Sequence, residues 1–430
     1  MASTVNPPRG MRDFLPAEKA RRERLLALIR QSYRAHGFDE IETPVAEDSD
    51  RLHAGLGGDN EKLAFGILKR GLTAEDLQAA REPLDLVDLG LRFDLTVPLA
   101  RYYASHRAEL PAVFRSIQVA PVWRAERPQK GRYRQFVQCD IDIIGEPGIR
   151  AEAELLVATL DTVDRLGLTD SFIRVNDRRL LIGMLVALGF GESEHAQVLI
   201  TIDKLDKVGE AGVIEELRER GATPAAVDAL DAFFRRPVTM EYLPFGERAI
   251  RKALPPGADD EVVAQLAELG DAVTAARGAD PMNALLRFDP FLVRGMGYYT
   301  GPIFELAHPS VSYSLGGGGR YDGMIGRFLG TDIPATGFSL GFERLVDLLN
   351  APADESSRAI ALLHDADAPL ADLLSLKSVL VAEGARVRLL VRPKNMKAAL
   401  DALTADGFTH FAVVEPGSAD RGALELRPLS

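Results

Sequence analysis

Across 430 residues there is one cysteine, Cys139, and one tryptophan. A lone thiol excludes internal disulfides and any multi-thiolate metal cluster, and it fits a reducing compartment. The seven histidines are scattered, with no His-Glu-x-x-His and no paired ligand spacing, so no protein-held metal is expected. No run of about 18 apolar residues occurs, and the opening MASTVNPPRGMRDFLP lacks the apolar stretch of a secretory leader. The expectation is a soluble, cytoplasmic protein with no membrane partner. Positive charge is in deficit, 51 Lys and Arg against 63 Asp and Glu for a net of −12, which excludes a general basic coat for nucleic acid but not a local groove. Phosphate loops are missing too: there is no G-x-x-x-x-G-K-[ST], and RGMGYYTG does not space its glycines as a dinucleotide fingerprint.

What remains is ordinary globular composition, 46% apolar and 27% charged, in a chain long enough for two to four domains at roughly 100–200 residues each. Residues 16–36 carry Leu25, Leu26, Leu28, Ile29 and Tyr33 among arginines, an amphipathic helix stopped by Gly37. FDEIETPVAED reads as a strand entering an irregular joint. Alternating runs on either side of PQKGR predict a β-hairpin with a long charged tip. From 178 to about 277 the texture becomes alanine-, leucine- and charge-rich at helical spacing. Strand-like, glycine-rich sequence then returns as far as GFERLVDLLN. A polar, proline-bearing stretch reads as a linker, and alternating strand and helix patterns beyond it predict a small three-layer α/β domain.

Arginine dominates the chemistry. Between Pro121 and Arg134 five basic residues stand against the single acid Glu126, and a planar guanidinium grips phosphate bidentately or stacks on a base. A solvated hairpin tip is the plainer explanation. The strings themselves decide between the two: WRAERPQKGRYRQFVQCDID resembles motif 2 of the class II aminoacyl-tRNA synthetases, ATGFSLGFERL resembles motif 3, and the joint at Pro44 occupies the place of the motif 1 proline. LVRGMGYYTGPIFE and SLGGGGRYDGMIG are similar to two stretches peculiar to the histidyl-tRNA synthetases, and RGMRDFLP and DLGLRFDLTVPLARYY match that family as well.

The resemblance implies an α+β fold: a class II antiparallel sheet of six or seven strands flanked by helices, with a helical insertion and a small C-terminal α/β domain. Its divisions would be 1–177 and 280–350 for the catalytic domain, 178–279 for the insertion, 351–358 for the linker and 359–430 for a shortened anticodon-binding-like domain, in which a closing helix is expected to be missing. It implies ATP-dependent ligation of L-histidine to tRNA(His) through a histidyl-adenylate, with ATP as substrate, Mg2+ as cofactor and a homodimer built on motif 1. By motif match, Arg124 would hold the α-phosphate and the substrate carboxylate, with Arg294 opposite it. Glu126 would meet the adenine amino group, Phe136 and Arg344 would sandwich the ring, and Arg132 would reach the γ-phosphate. Asp94, Thr96 and Gln138 would face the ammonium group, Asp142 and Tyr299 the imidazole nitrogens, and Tyr298 would line the pocket.

Each assignment has a blander rival. Arg294 would otherwise pair with a strand carboxylate such as Asp289, Arg344 would sit on a helix surface, and Arg132 would be a mobile loop residue. Tyr298 and Tyr299 would be core aromatics. Gly316 to Gly319 read either as a strand edge pressed against ligand or as a hairpin turn. Independently of any family, Gln138, Asp140 and Asp142 fall on one face of a strand, and three polar groups there need water or a ligand. Gly297 stands where the family often has a side chain, which removes any contact from that position. Arg386, Arg388, Arg392, Lys394 and Lys397 form a candidate tRNA phosphate footprint; Phe408 and Phe411 are that domain's only aromatics. Two other functions share much of this pattern: a non-catalytic histidine-binding regulatory subunit of ATP phosphoribosyltransferase, and a stand-alone tRNA-binding module. The former typically lacks the terminal domain and part of the arginine set, and the intact adenylate motifs speak against the latter.

Overall fold

The computed structural model describes residues 5–53, 63–128, 132–236, 245–278, 285–294, 297–349, 358–415, 422 and 424–429. Lys130 of the hairpin tip and nearly all of the expected linker lie outside the described residues. Two compact units emerge, one of residues 1–12 and 25–349, the other of residues 13–24 and 350–430.

The larger unit is organised by an eight-stranded sheet. Its strands are β1 (Asp39–Glu40), β2 (Phe114–Trp123), β3 (Gln135–Ile144), β4 (Phe172–Asp177), β5 (Leu286–Phe288), β6 (Pro302–Ala307), β7 (Gly316–Arg320) and β8 (Ala335–Gly341), in the order β1-β2-β3-β8-β7-β6-β4-β5. The six inner strands pair antiparallel. Two short edge strands, β1 and β5, add on in parallel, which takes the count past the expected six or seven. β2 and β3 are the alternating runs of the hairpin, in register from Phe114 opposite Ile144 to Trp123 opposite Gln135.

Alternation sorts β3 cleanly. Cys139, Ile141 and Ile143 are fully buried on the face covered by the helix Arg150–Arg165, which packs on β3 and β8. The opposite face carries Gln138, Asp140 and Asp142, and these are buried as well. Leu25, Leu26, Ile29 and Tyr33 of the helix Pro16–Ala35 are also in the core. That helix ends where Gly37 takes φ +83°, a conformation that costs glycine little. The joint at Pro44 is pinned by Arg92, whose guanidinium donates to the carbonyl of Thr43 at 2.8 Å and to that of Pro121, at the end of β2, at 3.0 Å.

Among the described residues of 178–277 there are six helices, from Arg178–Ala187 to Asp260–Arg277. Asp177 and Asp259 cap the first and last of them by accepting from backbone N–H groups. Their apolar stripes join one core with the sheet, and Phe233 and Phe234 meet Phe291 at 5.5 and 4.7 Å.

In the smaller unit, β9 (Ala359–His364) lies between β10 (Arg386–Val391) and β11 (His410–Val414), all parallel, with β12 (Arg427–Pro428) antiparallel at one edge. Ile360 and Leu362 face the helix Leu370–Ala382, while Ala359, Ala361 and Leu363 face Leu403 of the helix Met396–Ala405. The unit is therefore three-layered with a mixed sheet.

One buried ion pair ties the centre of the large sheet to the helix beneath it. Arg320 on β7 donates to both carboxylate oxygens of Glu152 at 2.7 and 2.8 Å, and Glu152 is wholly buried. Removing the cation would strand that carboxylate without water. Arg320→Met is expected to lower unfolding free energy by about 3–5 kcal/mol in urea denaturation, whereas a change under about 1 kcal/mol would mean that Glu152 is solvated or neutral.

Candidate active site

Three adjacent strands make the floor of a cleft whose cavity is about 690 Å3. β3 contributes Gln138, Asp140 and Asp142, and β8 sets Gly341, Ser339 and Gly337 directly opposite them. A Cβ on Gly337 would stand 1.9 Å from an Asp142 carboxylate oxygen, so the missing side chain is the space the carboxylate occupies. Gly316 to Gly319 form β7, in the middle of the sheet; they are neither a strand edge nor a hairpin turn. A Cβ at Gly317 would meet the Arg294 guanidinium carbon at 2.7 Å, and one at Gly319 the Tyr299 ring at 2.9 Å. The glycines thin the floor so that these side chains can lie on it.

One side of the cavity is cationic. Arg124, Arg132, Arg294 and Arg344 all line it, together with Glu126 and Phe136. Arg124 is aimed by a bond from Nε to the carbonyl of Phe93 at 3.0 Å, and its guanidinium lies 5.1 Å from the Phe136 ring centroid. Arg132 sits 3.6 Å from Glu126. Arg344 donates to the carbonyl of Ser314 at 2.5 Å and lies 5.4 Å from the Tyr313 ring. Burial, and then repulsion from Arg132 and Arg294, pull its affinity for a proton below the ordinary arginine value. Arg294 does have a strand carboxylate partner, but it is Glu305 on β6, at 3.0 Å. Asp289 belongs to Arg174, which also holds Glu305 at 2.8 Å. Burial works against the Arg294 charge, but Tyr299, Glu305 and Asp203 around it more than offset that.

The other side is acidic and aromatic. Tyr298 and Tyr299 are nearly buried core aromatics and also cavity walls, with rings 4.7 Å apart. Thr96 lines the cavity with them. Tyr321 donates to Asp142 at 2.6 Å. Asp94 accepts from the backbone of Val97 at 3.1 Å through one oxygen, holding the start of the helix Thr96–His106. Its other oxygen, and the Oε1 of Gln138, are buried without a partner. Burial pushes Asp94 up to about 6 against its bonds to the Val97 and Thr96 backbone and the Arg124 charge. Burial likewise pushes Asp142 up to about 7 despite the Tyr321 hydroxyl. Asp140 is raised well above the usual carboxylate range by burial and by Asp142. Two bare acceptors beside crowded carboxyls suit a cationic group.

Every residue to which the motif matches give a contact with histidine or ATP lines this one cavity. Others were not foreseen. Tyr321 appeared in the matched string without a role, and Asp140 on the polar face without one. Asp203, Asp206 and Lys207 reach the cavity from the helical segment, where charge at helical spacing looks like solvated surface. Of the remaining hairpin arginines, Arg134 braces the hairpin through the carbonyl of Glu126 at 2.9 Å. Gly297 has open space where a side chain would project. In the smaller unit Arg386 and Arg388 flank the Phe408 ring at 4.5 and 4.6 Å, and Phe408 is buried, so it offers no face for a base.

The histidyl-tRNA synthetase family profile matches residues 10–345. The chain is 59% identical to the histidine–tRNA ligase of Leifsonia xyli subsp. xyli over the full length of both, and 43% identical to a probable histidine–tRNA ligase of Tropheryma whipplei (strain Twist), with 99% of each chain covered. This chain belongs to the histidyl-tRNA synthetase family. Among solved structures, a histidyl-tRNA synthetase from Nostoc sp. PCC 7120 superposes with a TM-score of 0.77 at 25% identity, covering 99% of this chain and 95% of that one. An ATP phosphoribosyltransferase regulatory subunit/histidyl-tRNA synthetase from Bacillus halodurans C shares the fold, with a TM-score of 0.72 at 21% identity, 94% of this chain and 97% of that one.

Because the folded protein holds protons on these carboxyls that an unfolded chain releases near pH 4, their contribution to ligand-free stability is lost as pH rises toward 7. Asp142→Asn is therefore expected to stabilise the ligand-free protein by about 2–4 kcal/mol at pH 8. The gain should shrink as pH falls below 7 and vanish only below about pH 4, where the unfolded chain is protonated too, in thermal melts across that range. Destabilisation at pH 8 would mean that Asp142 is ionised at little cost.

Proposed function

We propose that this chain joins L-histidine to tRNA(His), activating the amino acid with ATP as a histidyl-adenylate in the cleft. The observation that carries the reading is the pairing, within one cavity, of four guanidiniums with two buried acceptors that lack partners. The cationic side suits a triphosphate, and the acidic side suits an ammonium group beside an imidazole.

The carboxylate of histidine attacks the α-phosphorus, and pyrophosphate leaves. Charge grows on phosphoryl oxygens, so positioning and electrostatic stabilisation supply most of the catalysis. Arg124 and Arg294 hold the α-phosphate from opposite sides, and Glu305 keeps Arg294 extended toward it. Arg132 takes the γ-phosphate, Glu126 the adenine amino group, and Phe136 and Arg344 the two faces of the ring. Asp94, Thr96 and Gln138 receive the ammonium group. Asp142 and Tyr299 frame the imidazole, with Tyr321 steadying Asp142 and Tyr298 closing the wall. The 3′-terminal hydroxyl of tRNA then attacks the activated carbonyl and releases AMP.

Among the described residues no group of three or more His, Cys, Asp or Glu side chains is arranged to hold a metal. Mg2+ would come as the counter-ion of ATP, and its charge would offset that of the pyrophosphate. We place the homodimer contact at the joint around Pro44, the anticodon contact on residues 359–430 with Arg392, Lys394 and Lys397 as phosphate partners, and the enzyme in the cytoplasm. No helix among the described residues is long and apolar enough to cross a membrane. The regulatory-subunit alternative has less support: the full arginine set lines the cavity, and the 21% likeness to the Bacillus protein extends to fold alone.

Histidine-dependent exchange of labelled pyrophosphate into ATP tests the reading. The unaltered protein should exchange, and Arg294→Ala should lose about 10²–10³-fold in rate. Histidine binding without any exchange would refute an adenylating enzyme.

A further inference from the structure

Asp140 is the middle carboxyl of the polar β3 face, 4% exposed and lining the cavity, and no role above requires it. Its immediate surroundings are specific. Gln138 Nε2 lies 3.3 and 3.4 Å from the two Asp140 oxygens and 2.9 Å from Ser339 Oγ. Ser339 stands directly across from Asp140 on β8, and its hydroxyl oxygen accepts from the Gln138 amide. A glutamine amide has two N–H donors on one end and one oxygen on the other. Here the nitrogen faces two acceptors, while Oε1 is buried and has no partner.

The direction of that amide matters. Turned by half a rotation about its last bond, Gln138 would accept the Ser339 proton and present N–H groups to the cavity, repelling an ammonium ion. Once ionised, the carboxyl of Asp140 forbids the turn, since two acceptor oxygens would then face each other without a proton between them. An arriving cation favours the ionised form of Asp140 and so reinforces the lock.

We infer that Asp140, with Ser339, is a positioning residue that holds the Gln138 carboxamide with its oxygen toward the cavity, and so sets the preference for a substrate carrying a protonated amine over one carrying a hydroxyl there. The inference rests on the proposed docking of the histidine ammonium beside Gln138.

The test is calorimetric binding at pH 8 of L-histidine and of its 2-hydroxy analogue, imidazole-lactate, whose hydroxyl satisfies either amide orientation. The proteins compared are the unaltered one, Asp140→Ala, and Asp140→Ala combined with Gln138→Glu. Asp140→Ala should weaken histidine about 10–100-fold and the hydroxy analogue much less, so that the preference between them shrinks by a similar factor. ATP affinity, unchanged, reports that the variant is folded. The double variant puts an accepting oxygen toward the cavity whichever way the side chain turns, and should recover most of the preference. A purely structural Asp140 would allow no such rescue. If the alanine variant fails to fold, the isosteric Asp140→Asn repeats the test, because its N–H donor equally admits the turned amide. An undiminished preference in either single variant, or equal losses of both ligands without rescue, overturns the inference. If the unaltered protein binds ATP but not histidine, the proposed function itself fails, and this inference with it.

Discussion

Like charges are held together at the bottom of this cleft, and most of the surrounding structure is arranged to keep them there. Arg344 is buried and repelled by Arg132 and Arg294. On the other side burial first, and for Asp140 and Asp142 also a neighbouring carboxylate, makes Asp94, Asp140 and Asp142 hold protons above the usual carboxylate range. Neither set is satisfied by the other across the cavity. A folded protein tolerates such sites only when the scaffold over-determines them, and six antiparallel strands with buried residues on both faces provide that rigidity.

The supporting contacts follow from this constraint. Glu305 and the Phe93 and Ser314 carbonyls aim guanidiniums without neutralising all of them. Thr96, Tyr298 and Tyr299 line one wall, and Tyr321 covers one oxygen of Asp142. Beneath the floor, Arg320 and Glu152 anchor the glycine strand to its helix. The glycines themselves bring backbone close enough for Arg294, Tyr299 and Asp142 to lie flat against it.

Much of this was legible in the residue order, for identifiable reasons. A period of two put Gln138, Asp140 and Asp142 on one face whatever the tertiary fold. The hairpin runs and the βα alternation after residue 358 were equally local signals. What failed was information carried between distant segments. A run of four glycines looks like a turn, because its real cause, side chains from 294 and 299 resting on a central strand, is invisible in sequence. Asp289 served as the example of a carboxylate for the plainer reading of Arg294, yet the structure gives that position to Glu305 and leaves Asp289 to Arg174. The expected six or seven strands came from the resemblance, and the two- and three-residue edge strands β1 and β5 take the sheet past that number. Asp203 lies in the turn between two helices and Asp206 and Lys207 at the start of the second, where charge is indistinguishable from solvated surface until the segment lines the cleft.

If unsatisfied cations are the organising feature of the site, removing one should relieve the empty protein while depriving it of its ligand. Scanning calorimetry of Arg344→Met with and without ATP measures both at once. The account predicts a higher melting temperature than the unaltered protein without ligand, by a few degrees for about 1 kcal/mol, and little or no further rise when ATP is added. A lower melting temperature without ligand, together with full stabilisation by ATP, would show that the guanidiniums neither repel one another nor meet the triphosphate.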